Sequence, residues 1–139
     1  MYIFSIVIVV VSNMIYHVCQ KSAPQNANPF TALFAAYLTA IVMSFIAFYC
    51  YKTDESFIQS FKHLNWTSII LGLSIVGLEL GYFLAYRAGW NLSTGSLVAN
   101  ITLAVLLVPI GIIFFKESFD LTKVLGAIFC IIGLFLINK

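Results

Sequence analysis

A single carboxylate inside a strongly apolar sequence is the residue best placed to do chemistry in this chain. Glu79 lies in the segment GLELGYFLAYRAGW, and Arg87 lies near the end of the same segment. At the rise of an α-helix, Glu79 is about 13 Å from the end of its apolar run at Ala88, close to the middle of a bilayer. A charge at that depth costs about 2.5–3.5 kcal/mol on the insertion scale, so it requires water, a partner or a proton. Because a low-dielectric environment disfavours the charged form, Glu79 could gain and lose a proton near neutral pH.

Polar side chains on the other apolar runs fall at a similar depth. Four residues of the first run recur at the spacing of one helical face: Asn13, Tyr16, His17 and Gln20. Tyr82 and Tyr86 share a face with Glu79 by the same rule. On two further runs, Tyr37 and Asn100 lie about 12 Å and about 8 Å from the nearer membrane surface. The depths of these residues cluster in one half of the membrane.

This clustering predicts a water-accessible cavity that opens, in at least one state, toward the side of the membrane where Arg87 lies, and that has Glu79 at its floor. The predicted substrate-binding or coupling residues are Glu79, Asn13, Tyr16, Tyr37, Tyr82, Tyr86 and Asn100. His17 and Arg87 are predicted at the cavity mouth. The alternative is a set of separate interhelical hydrogen bonds, each contributing about 1 kcal/mol or less. That alternative suffices for Asn13, Tyr37 or Asn100 taken singly, whereas the charge of Glu79 favours a functional role.

The sequence carries no pattern of a soluble enzyme. It lacks the G-x-S-x-G nucleophile turn, the phosphate-binding P-loop and the H-E-x-x-H zinc motif. Its three cysteines, Cys19, Cys50 and Cys130, lie in or at the ends of apolar runs without metal-ligand spacing. We therefore predict no catalytic site, no metal site and no cofactor.

The composition identifies the class of protein. The chain has 139 residues, of which 62% are hydrophobic and 9% are charged, and its mean hydropathy is +1.03. A soluble domain of this size has too much surface to cover it with so few polar residues. The bilayer is therefore the expected environment of this chain. The net charge is only +2, and the charged residues lie mostly between the apolar runs. Both features argue against nucleic-acid binding.

Five apolar runs are long enough, or nearly long enough, to cross a bilayer as helices. They are about Tyr2–Cys19, Pro29–Tyr51, Trp66–Ala88, Gly95–Phe115 and Leu121–Ile137. Lipid offers no partner to unpaired backbone groups, so we predict an all-α bundle of five transmembrane helices forming one domain, residues 1–139. The first run lacks a basic start and a cleavage site, and we interpret it as a retained span. Asn28 is a predicted N-cap before Pro29, and residues 57–61 are a predicted short interfacial helix.

The distribution of basic residues leaves the membrane orientation open. Side A, the side of the N-terminus, carries Lys52, Lys62, Lys116 and Lys123. Side B carries Lys21, Arg87 and Lys139. Four residues against three is a weak bias under the positive-inside rule. A single orientation with side A cytoplasmic and insertion in both orientations therefore remain alternatives.

Small residues predict close helix contacts. Gly77 and Gly81 form a G-x-x-x-G pair, for which packing within the chain is the commoner use and dimerisation the alternative. The edge from Gly126 to Gly133 on the last run is the predicted dimer contact. Pro109 removes one backbone hydrogen bond from the fourth run and predicts a kink, which is either structural or a joint for movement.

The C-terminal half resembles the end of an EamA-type domain of the drug/metabolite transporter superfamily. The segment concerned is AYRAGWNLSTGSLVANITLAVLLVPIGIIFFKESFDLTKVLGAIFCIIGLFLINK. The resemblance is carried by Ala88, Ser93 to Ser96, Pro109, Glu117, Gly126, Ala127 and Gly133. In the N-terminal half it rests on QKSAPQNANPF between the first two helices. This sequence departs from the family pattern at Lys116, where glycine is common, and in the second helix, where Tyr37 occurs and many members have an arginine.

The resemblance implies a partner for this chain. Most familiar members join two such domains in tandem, and five-helix halves in tandem are inverted relative to each other. A single half is therefore expected to form a homodimer, antiparallel if both orientations occur, or to pair with a sister half-transporter. The expected location is the cell membrane, as a multi-pass protein in contact with lipid.

Three functions fit the sequence. The first is a secondary transporter, acting as a dimer by alternating access, that moves a small metabolite or an amphiphilic cation with Glu79 as the coupling or cation-binding carboxylate. The second is a flippase subunit for a lipid-linked carrier, with a basic mouth formed by Lys21 and Arg87. The third is a non-transporting regulatory membrane subunit, in which Glu79 would be hydrogen-bonded within a packed interior.

The antiparallel homodimer predicts a mixed orientation of the C-terminus. Reporter fusions at the C-terminus, one active only inside the cell and one active only outside, should then both give signal, because nearly equal basic charge on the two sides provides little orientation preference. A uniform result would remove the antiparallel homodimer and leave a parallel dimer or a partner chain.

Overall fold

The fold is seen in a computed structural model that describes residues 2–51, 56–116 and 121–137. Helix α1 spans Tyr2–Ser22, and α2 spans Pro29–Cys50. A short helix α3, Phe57–Ser60, continues into a 3₁₀ turn at Phe61–His63. The remaining helices are α4, Trp66–Arg87, α5, Leu92–Phe115, and α6, Leu121–Ile137. Within the described ranges there is no strand.

These helices confirm the predicted all-α membrane bundle. Helices α1, α2, α4 and α5 are each long and apolar enough to cross a membrane, and α6, with 17 residues, is shorter. The ends differ slightly from the predicted runs. Helix α1 continues through Lys21 to Ser22, and α5 begins at Leu92, three residues before Gly95. Polar residues at these ends can complete a helical turn because they lie where a span meets water.

Side-chain caps account for several helix starts. Asn28 accepts a hydrogen bond from the Phe30 backbone N–H at 2.9 Å with Pro29 in the first turn, which confirms the predicted N-cap. Asn65 caps α4 in the same way by accepting from the Thr67 backbone N–H. Helix α3 begins with a reciprocal capping box that the sequence analysis did not identify, formed by Ser56 and Gln59.

The backbone conformation at the end of α5 shows why glycine is common in the family at the position where this chain has Lys116. Lys116, at the C-cap, has φ 51 and ψ 35, in the left-handed region. Glycine is favoured there because it lacks a Cβ, and a lysine costs about 1 kcal/mol more in that conformation. The Lys116 backbone N–H still donates to the Gly111 carbonyl, so the helix closes in the same way. Glu117 and residues 118–120, which follow it, lie outside the described residues.

The described residues divide into two compact units. One is Cys19–Ala88, which contains the end of α1, all of α2 and α3, and α4 to its last turn. In this unit α2 packs against α4, and its buried side chains are Leu33, Phe83 and Tyr86. The other is Met1–Val18 with Gly89–Lys139, in which α5 packs against α6.

The glycine faces are open in this structure. A Cβ added at Gly77 or Gly81 would meet no neighbouring atom within 4 Å. Within the unit Cys19–Ala88 no other helix packs closely on this pair, and its use for packing within the chain or for dimerisation stays a prediction. Gly126 and Gly133 have the same open surroundings, and the dimer contact proposed for them stays a prediction. Small residues permit close approach, but they do not determine which helix makes it.

Replacing the N-cap of α2 tests the local stability of the fold. We expect Asn28→Ala to lower the free energy of unfolding by about 1 kcal/mol, because the side chain that accepts from the Phe30 N–H is lost. Denaturant unfolding in detergent micelles, followed by circular dichroism, would measure the change. Asn26→Ala is the matched control in the same connection, and an equal loss in both variants would contradict the capping role.

Candidate functional site

Glu79 is half-buried on α4, and its carboxylate is hydrogen-bonded within the unit Cys19–Ala88. The Gln20 side chain, in the last turns of α1, donates from Nε2 to Glu79 Oε2 at 2.7 Å. A hydrogen bond to a charged acceptor contributes about 1.5–3 kcal/mol, so this bond offsets part of the cost of placing a carboxylate at this depth. Among the described residues, Glu79 has no basic partner. The second carboxylate oxygen thus remains available to a solute.

A cavity of about 840 Å³ lies beside Glu79 within the same unit. Helices α2, α3 and α4 and the 3₁₀ turn contribute the lining: Ala36, Tyr37, Ala40, Ile41, Ser44, Phe45, Phe48, Phe57, Phe61, Gly72, Ile75, Val76 and Glu79. Tyr37 and Glu79 form one end of the cavity, and the phenylalanines form the other. Along α2, the distance from Tyr37 to Phe45 is about 12 Å. The volume is within the usual range of about 300–1,000 Å³ for small-molecule sites.

The Tyr37 hydroxyl adds a second polar group at the Glu79 end. Its oxygen is buried and has no hydrogen-bond partner among the described residues. Tyr37 and Glu79 line the same cavity, on α2 and α4. A buried hydroxyl without a partner loses about 1–3 kcal/mol of stabilisation, and a bound solute or water could recover it. Tyr37 and Glu79 are therefore the predicted site residues that the structure brings together.

Aromatic rings form the other end of the cavity. Phe57, from α3, packs edge-to-face against Phe45 and Phe48 of α2, with ring centroids 5.2 Å and 5.1 Å apart. Phe61 of the 3₁₀ turn lies 5.1 Å from the Phe57 ring in the same arrangement. Edge-to-face pairs of this kind contribute about 0.5–1.5 kcal/mol each beyond burial. The short helix α3, predicted as an interfacial element, thus forms one wall of the cavity.

The cavity of this unit extends from Glu79 toward α3, which lies on side A. The sequence analysis expected an opening toward side B, where Arg87 lies, in at least one state, and that opening stays a prediction. In this structure the gap at the Arg87 end has no room for a water molecule. The expectation used the depths of polar residues alone, and depth does not show whether the space between the helices is filled.

Arg87 closes the side B end of this unit in this structure, and its predicted role at the cavity mouth stays a prediction. Its Nη2 donates to the Pro24 carbonyl at 3.0 Å and also to the Ala27 carbonyl, both in the α1–α2 connection. The guanidinium carbon lies 4.4 Å from the centre of the Phe83 ring, which is buried. The arginine therefore holds the connection against α4 instead of extending into solvent.

Two further tyrosines lie between Glu79 and Arg87 on α4. The rings of Tyr82 and Tyr86 are stacked, with centroids 6.0 Å apart. The Lys21 ammonium lies 5.7 Å from the centre of the Tyr86 ring, and Tyr86 is buried. Neither tyrosine lines the cavity of about 840 Å³. Their predicted part in substrate binding stays a prediction, and in this structure they pack at the closed end.

The remaining predicted residues lie in the other unit, Met1–Val18 with Gly89–Lys139. His17, predicted at a mouth, is instead buried, and its ring lies edge-on to Tyr16 at 5.1 Å. Tyr16 is half-buried, whereas Asn13 and Asn100 are exposed. A common site of these residues with Glu79 stays a prediction.

Sequence reasoning missed Gln20 and the aromatic end of the cavity. Gln20 was part of the polar stripe on the first helix, seven residues after Asn13, but it was not included among the site residues. Its contact with Glu79 could be suspected from that stripe. Phe45 and Phe48 are spaced i, i+3 on α2, but that spacing is common in membrane helices and does not identify a cavity wall.

The helices and their apolar surfaces define an integral membrane protein. Four helices meet the length and hydropathy of membrane spans, and large apolar side chains are exposed along them. The sequence model of the EamA-like transporter family matches residues 1–139, and the chain belongs to this family. Family membership confirms the resemblance found in the C-terminal half and indicates a membrane transporter of small solutes. No curated protein and no solved structure matches the chain.

Removing the Arg87 guanidinium should loosen the α1–α2 connection. We expect Arg87→Met to speed amide hydrogen exchange at residues 23–28 by about tenfold or more, because two carbonyls of the connection lose a charged donor. Methionine keeps an apolar stem beside Phe83. Lys62→Met is the control, since Lys62 is exposed in the 3₁₀ turn. Unchanged exchange in Arg87→Met would show that the arginine does not hold this connection.

Proposed function

We propose that this chain is a secondary transporter that moves a small metabolite or an amphiphilic cation by alternating access, with Glu79 as the coupling or cation-binding carboxylate. The observation that carries the proposal is the position of Glu79 at the inner end of an apolar cavity, held by Gln20 from another helix. A carboxylate there can exchange a proton for a cation, since both neutralise the same charge. Family membership supports the general activity.

The difference between the two ends of the unit Cys19–Ala88 supports alternating access. The α3 end has space for a solute, and the Arg87 end is closed by hydrogen bonds from the guanidinium to Pro24 and Ala27. Opening the closed end would break those charge-assisted bonds, each worth about 1.5–3 kcal/mol. Such a cost is small enough for a binding event to supply and large enough to favour one state.

We further propose that the transporter acts as a dimer in the cell membrane. The family match covers one five-helix domain, whereas related transporters with two halves place the substrate site where the halves meet. The partner is a second copy of this chain, antiparallel if both orientations occur, or a sister half-transporter. The nearly equal basic charge of sides A and B supports the antiparallel arrangement.

Transport in proteoliposomes tests the role of Glu79. With an imposed pH gradient, and with ethidium and radiolabelled amino acids as probes, we expect the wild-type chain to accumulate at least one probe. Glu79→Gln should reduce gradient-driven accumulation by about tenfold or more, because an amide neither binds a proton nor neutralises a cation. Glu55→Gln is the matched control, since it makes the same chemical change in the α2–α3 connection.

Full gradient-driven transport by Glu79→Gln would contradict the coupling role. Phospholipid or lipid-linked carrier that co-purifies with the protein and changes leaflet in the same vesicles would favour a flippase subunit instead. A chain that transports no solute and no lipid while binding a second membrane protein would favour a regulatory subunit.

A further inference from the structure

The cavity beside Glu79 restricts the class of solute that can bind there, an inference that rests on the proposed function. Two ionisable residues, Glu79 and Tyr37, occur among the described residues of its lining, and no lysine, arginine or histidine does. A solute carboxylate or phosphate would therefore lie in an apolar space without a cation. Burying an unpaired charge costs several kcal/mol, so anions are disfavoured and zwitterions lose the partner for one of their charges.

The hydrogen-bonding groups at the inner end favour a donor on the solute. Gln20 occupies Glu79 Oε2, which leaves the other carboxylate oxygen without a donor among the described residues. The buried Tyr37 hydroxyl is also without a partner in that part of the chain. An ammonium group with one N–H can donate to the carboxylate, and one with two or more N–H groups has a second donor for the phenol oxygen. A quaternary ammonium ion offers charge but no donor.

The outer end of the cavity favours an apolar and preferably aromatic body. Phe45, Phe48, Phe57 and Phe61 line it, and the Phe57 ring already packs edge-to-face against its neighbours. An aryl group of the solute can join this cluster in the same geometry. The distance of about 12 Å along α2 between Tyr37 and Phe45 admits one or two fused rings joined to an amine by a short chain.

We propose that the cavity formed by α2, α3 and α4 binds a protonated aryl-alkyl amine, with the ammonium at Glu79 and Tyr37 and the aromatic body against the phenylalanines of α2 and α3. The alternative occupant is a lipid acyl chain, which would match the apolar wall. An acyl chain leaves the second Glu79 carboxylate oxygen and the Tyr37 hydroxyl without partners, so the observations favour the amine.

Binding of three matched probes to the purified full-length protein in lipid nanodiscs tests this proposal. The probes are 2-(1-naphthyl)ethylamine, the zwitterion 1-naphthylalanine and the neutral 2-(1-naphthyl)ethanol, all with the same aromatic body. We expect the amine to bind about tenfold or more tighter than the other two at neutral pH, since one charge-assisted hydrogen bond corresponds to that ratio. The N-trimethylated amine should bind more weakly than the primary amine.

Variants assign the binding to the named residues. Glu79→Gln should reduce the affinity for the amine by about tenfold or more and leave the affinity for the alcohol within about twofold, which also shows that the cavity remains folded. Tyr37→Phe should weaken amine binding about threefold to tenfold. Phe48→Ala should weaken the binding of amine and alcohol alike, because it removes contact with the shared ring system.

Equal affinities for amine and alcohol, tight binding of the zwitterion, or amine binding that survives Glu79→Gln would each overturn the proposal. So would a phospholipid that stays bound in the cavity and excludes all three probes. A failure of this proposal can be distinguished from a failure of the proposed function. Amine binding without transport would remove the transporter mechanism and leave this site. Glu79-dependent transport of an anion or zwitterion without amine binding would leave the transporter and remove this site.

Discussion

The hydrogen bond from Gln20 to Glu79 is the interaction on which the site depends. It joins the last turns of α1 to the middle of α4 and supplies a donor to a carboxylate that lies among apolar side chains. Without that donor, the charged form would bear more of its desolvation cost, and the helix would favour another rotation or a permanently neutral acid. With the Gln20 donor in place, Glu79 Oε2 is hydrogen-bonded. The other carboxylate oxygen, which has no donor among the described residues, can bind a solute.

The surroundings of Glu79 differ on its two sides. Toward α3 there is space, with aromatic rings that pack on each other across α2 and α3. Toward Arg87 the unit is filled by stacked tyrosines, a buried phenylalanine and an arginine bound to loop carbonyls. This carboxylate thus lies between an open side and a closed side of the unit, in a chain whose family indicates a membrane transporter of small solutes.

The residues that line the cavity bear on which solutes it can hold. An apolar wall with one acid and one phenol gives little affinity to water-soluble anions, yet it can hold a cation with an apolar body. The specificity would come from the absence of a counter-charge for carboxylates as much as from attraction to the amine. The closed end contains Lys21 and Arg87, and both are engaged by aromatic rings away from the cavity.

The sequence by itself determined the fold class, the approximate bounds of the apolar helices, the Asn28 cap and the position of a carboxylate, Glu79, within an apolar helix. These follow from local properties: hydropathy over about 20 residues, capping chemistry and the cost of a charge at a given depth. Only the tertiary structure decided that Gln20 meets Glu79, that Arg87 closes its end and that the cavity extends toward α3. Depth along a helix places a residue in one dimension, whereas helix rotation and loop packing decide which side chains meet and where space remains.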